Sequence, residues 1–226
     1  MSIFKSIRQA MDTTESVRMF KSDILERFSH VHPYTPFILY IPVVLCSLFI
    51  SIYYLHLETI GLIIHFIAGM IFWTLSEYVL HRFLFHIPQT NRVFKAIYFY
   101  SHGMHHEIPT DATRLVMPPG ASIPLAIIFF LLFKLAMPVY YLPFFAGFVT
   151  FYMIYDFMHF ATHFIRFKNR WYKNVRKHHM IHHYRDPTKN YGISNYFWDR
   201  VFFTTFVSAG PKEDQEVDDD SGLKPL

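Results

Sequence analysis

The sequence predicts an all-α integral membrane protein: four transmembrane helices in two hairpins, with a cytoplasmic helical cap that holds a dinuclear histidine site. Three observations predict it. Hydrophobic residues make up 52% of the 226 residues and charged ones only 17%. Charge is absent from four long stretches, Phe28 to Leu57, Thr59 to Ser76, Leu115 to Phe133 and Leu135 to Tyr155. Eleven of the 15 histidines fall at or just beyond the ends of the second and fourth spans that these stretches define.

The elements follow in order. Residues 1–36 form an N-terminal interfacial segment, in which Ile3, Phe4, Ile7 and Met11 recur at helical spacing. Such a segment fits an amphipathic helix on the cytoplasmic membrane surface, with a loose tail as the alternative. It has no uninterrupted apolar core and is not a secretory signal. Residues 37–206 are the membrane domain, with spans at 37–55, 60–80, 121–137 and 142–160. Each is close to the roughly 20 apolar residues needed to cross a bilayer. Buried helices of a soluble core are the alternative. Cys46, the single cysteine, lies in the first span, so the chain offers no internal disulfide and no thiolate metal site. Residues 207–226 are acidic and polar, a composition expected to be disordered.

Sidedness comes from Lys and Arg. All 21 but Lys134 lie before the first span, between the second and third, or after the fourth. The positive-inside rule places that face in the cytoplasm, with both termini and the histidine-rich cap. The membrane is then a bacterial inner membrane or the endoplasmic reticulum. The net charge of +4 fits contact with anionic headgroups. No Gly-rich or aromatic-interleaved motif points to nucleic acid as a partner.

Four histidines take ordinary roles: His30 and His32 before the first span, His56 in the outer loop, and His65 within the second span as a satisfied polar group. The remaining eleven form four groups, "HRFLFH", "HGMHH", "HFATH" and "HHMIHH". His86, His102, His105 and His106 map onto His163, His179, His182 and His183 at an offset of 77 residues, whereas His81 to His159 is 78. The two halves share one orientation and resemble a parallel repeat about the membrane normal.

Residues three and four apart share a helix face. His102, His105 and His106 can therefore present three imidazoles to one point, and so can His179, His182 and His183. His159 and His163 lie one turn apart. His81 and His86 are five apart and converge only if the helix ends or bulges between them, an ending that Pro88 favours. Ten convergent histidines exceed one ion's needs and suit two. Zinc is usually satisfied by four ligands; an all-nitrogen dinuclear site with room for an open position points to iron and oxygen chemistry. Asp156, one turn before His159, is the candidate catalytic acid, orienting a ligand imidazole. Glu77, one turn before His81, is a second candidate, and Tyr155 and Asp199 are further ones. An acid near a membrane core is costly and usually functional, and ligand imidazoles commonly donate to carboxylates.

The pattern H-x4-H, H-x2-H-H, H-x3-H, H-x2-H-H resembles the fatty acid hydroxylase superfamily of membrane di-metal oxygenases. The segments "WTLSEYVLHRFLFH", "HGMHHEIPTDATRLVMPP" and "HHMIHHYRDPTKNYGISNYFWDRVFFTTF" closely resemble fatty acid 2-hydroxylases over residues 60 to 206. The resemblance implies that His81, His86, His102, His105, His106, His159, His163, His179, His182 and His183 bind two metal ions, with His178 outside the pattern. The ions expected are iron, with zinc able to replace it on purification. The resemblance implies O2-dependent hydroxylation of an acyl chain at C2, in a fatty acid or an N-acyl sphingolipid. Other oxidations on the same scaffold, by a desaturase or a sterol or carotenoid hydroxylase, share the histidines. A haem cytochrome or metal transporter would place its ligands within the bilayer instead. Many eukaryotic members carry a cytochrome b5 domain with an H-P-G-G motif, which this sequence lacks. The electron donor is therefore expected to be a separate protein, a ferredoxin or a cytochrome b5 with its reductase.

Overall fold

The computed structural model describes residues 3–207; the acidic tail after that lies outside the described residues. All regular structure among them is helical. Four helical stretches are long and apolar enough to cross a membrane, Thr35–Tyr54, Thr59–Phe85, Ala112–Ala136 and Tyr141–Phe164, and the protein is a multi-pass membrane protein.

Two short helices come first, α1 (Ile3–Asp12) and α2 (Asp23–Ser29). On α1, Ile7 and Ala10 are buried while Phe4 is 74% exposed, so the helix turns only part of its apolar stripe inward. The loop entering α2 is held by Glu26, whose carboxylate accepts from the Met19 and Phe20 amides and from Arg114. The spans follow as α3 (Thr35–Phe49, with a wider final turn to Tyr54), α4 (Thr59–Val79), α7 (Pro119–Ala136) and α8 (Tyr141–Phe164). Between α4 and α7 lie α5 (Arg92–Tyr98) and α6 (Met104–Glu107); after α8 come α9 (Arg170–Tyr184) and α10 (Phe197–Val201). Side-chain caps from Asn91 and Asn169 start α5 and α9.

The described residues divide into two compact units. One draws on residues 3–16, 77–112 and 158–207, the other on Val17–Ser76 and Thr113–Phe157. The second unit holds most of the apolar spans. Its centre is α8: 72% of that helix's apolar window is buried, against 17–28% for the other spans. Gly69 and Gly147 let α4 and α8 touch backbone to backbone. A Cβ on Gly69 would stand 2.0 Å from the Phe144 carbonyl oxygen, and one on Gly147 only 1.9 Å from that of Phe66. Small residues allow such an approach, which substitutes for the hydrophobic drive that lipid cannot supply. Trp73 packs beside this contact on Phe148, Tyr152 and Tyr155. His65, as expected of a satisfied polar group, donates from Nδ1 to the Gly61 carbonyl of its own helix at 2.7 Å and stacks on Tyr140.

The histidine-bearing spans run further than hydropathy alone predicts. α4 and its extension reach Phe85 rather than 80, and α8 reaches Phe164 rather than 160. The acids that weaken the apolar signal there are both partnered. Glu77 accepts from the Ile193 and Ser194 amides, and Asp156 from the Met117 amide and the Tyr152 hydroxyl. A satisfied carboxylate does not end the helical ladder.

Candidate metal centre

All ten expected ligand histidines lie in the unit that contains Glu77–Ala112, and they gather into two groups of five. One is His81, His86, His102, His106 and His182; the other is His105, His159, His163, His179 and His183. Within each group the ligand nitrogens lie within 4.8 Å of one another. Seven of the ten side chains are buried and the other three half-buried.

The grouping departs from the convergence of each H-x-x-H-H run on one point that the spacing allows. Each H-x-x-H-H run divides between the groups: His102 and His106 join one and His105 the other, while His179 and His183 join one and His182 the other. Neighbouring helical residues point about 100° apart, so His105 and His106 diverge, while positions four apart stay on one face. Each group thus takes ligands from both halves of the chain.

The five-residue gap between His81 and His86 is bridged by a wide turn. Leu80–Phe85 is π-helical, with the His86 amide donating to the His81 carbonyl at 3.0 Å. A second such turn, Phe99–Gly103, delivers His102 and leads into α6. Single π turns inside helices mark functional sites often. The one extra residue explains the repeat's irregular offset: α8 holds His159 and His163 at ordinary α spacing, and the wide turn after α4 holds the matching pair with one residue inserted.

Every ring aims Nε2 inward. In the first group, Nε2 atoms approach at 3.1 Å (His81–His102), 3.2 Å (His86–His106) and 2.9 Å (His86–His182). In the second they approach at 2.9 Å (His105–His183, His105–His159 and His163–His179) and 3.1 Å (His179–His183). The outer nitrogens of His81 and His182 face the carbonyl oxygens of Tyr191 and Lys189, at 2.5 and 2.7 Å. A carbonyl only accepts, so Nδ1 carries the proton in these two rings and Nε2 is a bare lone pair. Converging lone pairs repel unless a cation sits among them, so the donor set fits a metal ion in each group. Burial, and next to it the neighbouring imidazoles, hold His86 at about 3 and His106 at about 2. Burial likewise holds His182 at about 4. His102, His105, His179 and His183 are pushed well down for the same reasons. At neutral pH the rings are uncharged and ready to ligate.

The carboxylates expected to orient ligand imidazoles take other partners. Asp156 takes the Met117 amide at 3.2 Å and the Tyr152 hydroxyl at 3.0 Å. Glu77 takes two amides and the Ser194 hydroxyl. Asp199, fully buried, takes the Tyr191 and Gly192 amides, the Thr204 hydroxyl and His178. His178 is therefore bound to an acid and stands outside both ligand groups. The loop carbonyls of Lys189 and Tyr191 had no sequence signal, because any residue supplies a carbonyl.

Residues 66–204 match the sequence profile of the fatty acid hydroxylase family. Dihydroceramide fatty acyl 2-hydroxylase FAH2 of Arabidopsis thaliana is 37% identical over 200 residues, covering 88% of this chain and 84% of that protein. Fatty acid 2-hydroxylase of Mus musculus is 34% identical over 218 residues, covering 87% of this chain but 59% of the mouse protein. A solved structure of full-length scs7p, in which only the hydroxylase domain is visible, superposes with a TM-score of 0.77 at 31% identity, over 84% of this chain and 72% of that one.

Proposed function

The chain belongs to the fatty acid hydroxylase family, and from that premise we propose that it hydroxylates acyl chains at C2, in a fatty acid or an N-acyl sphingolipid, using O2. The observation that carries this reading is the convergence of ten Nε2 atoms into two five-membered groups. The relatives' names supply the substrate class and position.

His81, His86, His102, His106 and His182 would hold one iron ion, and His105, His159, His163, His179 and His183 the other. Two such ions would supply the O2 activation that oxidising a C–H bond to an alcohol requires, chemistry that no side chain provides. The chain's own residues keep the ligands neutral by burial and orient them. Lys189 and Tyr191 fix two rings through their carbonyls. Asp156 enters as a positioning residue: by binding Met117 and Tyr152 it sets the rotation of α8 one turn before His159. Electrons come from a separate protein, a ferredoxin or a cytochrome b5 with its reductase. The basic face, with the termini and the histidine groups, is cytoplasmic, as the lysine and arginine bias supports.

Lipid mass spectrometry on cells expressing the chain, beside the His182→Ala variant, tests the proposal. An added oxygen at C2 of acyl chains, absent with the variant, supports it. No such species, with iron and a reductase supplied, refutes it and turns the search to sterol, carotenoid or desaturated products.

A further inference from the structure

The two histidine groups differ in what stands behind them. In the first, His182 Nδ1 donates to the Lys189 carbonyl and His81 Nδ1 to the Tyr191 carbonyl. In the second, Nδ1 of His105, His179 and His183 is buried with no hydrogen-bond partner among the described residues.

The bracing carbonyls sit on one short strap, Lys189 to Ser194, whose amides are all tied. Asn190, left-handed at φ 58°, donates its amide to the Thr204 carbonyl at 2.9 Å. Tyr191 and Gly192 donate to the two oxygens of Asp199, at 2.8 and 2.7 Å. Ile193 and Ser194 donate to Glu77 at 2.6 and 2.8 Å. Asn190, Asp199 and Glu77 are each at most 2% exposed. The strap has no slack: a Cβ on Gly192 would stand 2.0 Å from the Asn195 carbonyl oxygen.

One peptide unit carries particular weight. The carbonyl of Tyr191 and the amide of Gly192 belong to the same planar group. The carbonyl faces His81 while the amide donates to Asp199. A carboxylate pulling on the N–H polarises the peptide and makes its oxygen a stronger acceptor, as in any cooperative hydrogen-bond chain. A stronger acceptor at Nδ1 makes Nε2 a better ligand.

We infer that Asp199 is a positioning residue for one metal ion of the two: through the Tyr191–Gly192 peptide it orients and strengthens His81, while the strap it anchors does the same for His182. The other ion, held by His105, His159, His163, His179 and His183, does not depend on it. This rests on the two-metal reading above and goes beyond it by making the sites unequal. His178, bonded to Asp199 at 3.0 Å, thereby has a place in the strap's support.

The test uses the full chain in detergent, stripped of metal by a chelator and titrated with zinc, with bound zinc counted by mass spectrometry. Wild type is expected to hold two ions. Asp199→Asn is expected to hold one as tightly as wild type and to bind the other roughly 10–100-fold more weakly, the usual cost of a lost outer partner. Cobalt in place of zinc should lose one set of visible bands and keep the other. Both ions retained at wild-type affinity, or both weakened together, overturns the inference. Should Asp199→Asn fail to fold, Thr204→Val removes one hydrogen bond from the same carboxylate, and must weaken the same single site to a smaller degree. A wild type that binds no zinc would instead overturn the two-metal reading itself.

Discussion

His81 and His86 are five residues apart and serve one ligand group, because the His86 amide reaches back to the His81 carbonyl across a π turn. The corresponding pair on α8, His159 and His163, does the same work with four. The wide turn thus absorbs one residue without moving the rings. Phe83 is the most exposed residue of that turn, at 59%. Deleting it should restore α spacing and leave two metal ions per chain by elemental analysis; loss of an ion would show that the wide turn itself shapes the site.

The α4–α8 contact predicts a steric penalty. Gly147→Ala places a methyl 1.9 Å from the Phe66 carbonyl oxygen, a backbone atom that moves only with its helix. Overpacking of this kind costs about 1–3 kcal/mol. The variant's melting temperature in detergent should fall by several degrees; an unchanged value would mean the helices separate freely.

Acid should destabilise the metal-free protein. The folded values of about 3 for His86 and about 4 for His182 lie below the ordinary 6.5. The unfolded chain then binds more protons than the folded one as the pH drops. The stability these rings contribute is present above pH 6.5 and is lost as pH falls toward 4 and then 3. Melting of chelator-treated protein at stepwise lower pH should show the decline beginning near pH 6.5; a flat profile down to about pH 4 would contradict it.

Asp156 separates orientation from metal retention. Asp156→Asn keeps the volume and an acceptor for Met117 but weakens the bond from Tyr152. Hydroxylated product should fall by more than tenfold, the size of a charge-assisted hydrogen bond of about 1.5–3 kcal/mol, while metal content changes little. Equal activity would remove Asp156 from the mechanism.

Chelation offers a direct check on the ten-histidine assignment. Removing metal should abolish C2 hydroxylation, and ferrous iron should restore it. Zinc should refill the sites without restoring activity, because it has no redox chemistry. Activity persisting after the metal is removed would sink the di-iron proposal.

The sequence by itself determined the four apolar spans and singled out the ten histidines that gather into two groups. Both are composition and spacing along one chain: a bilayer requires uninterrupted apolar residues, and a helix brings positions three and four apart onto one face. Which histidines share a group was decided by tertiary structure. His105 and His106 are neighbours in sequence yet enter different groups, because the helix turns them apart and the rings they meet come from distant segments. The strap was equally hidden. Lys189 and Tyr191 act through carbonyls that every residue possesses, and only the folded positions of Asp199, Glu77 and Thr204 place those carbonyls against His182 and His81. Side-chain chemistry can be read along a chain, but the direction of a backbone dipole exists only once the chain has folded around it.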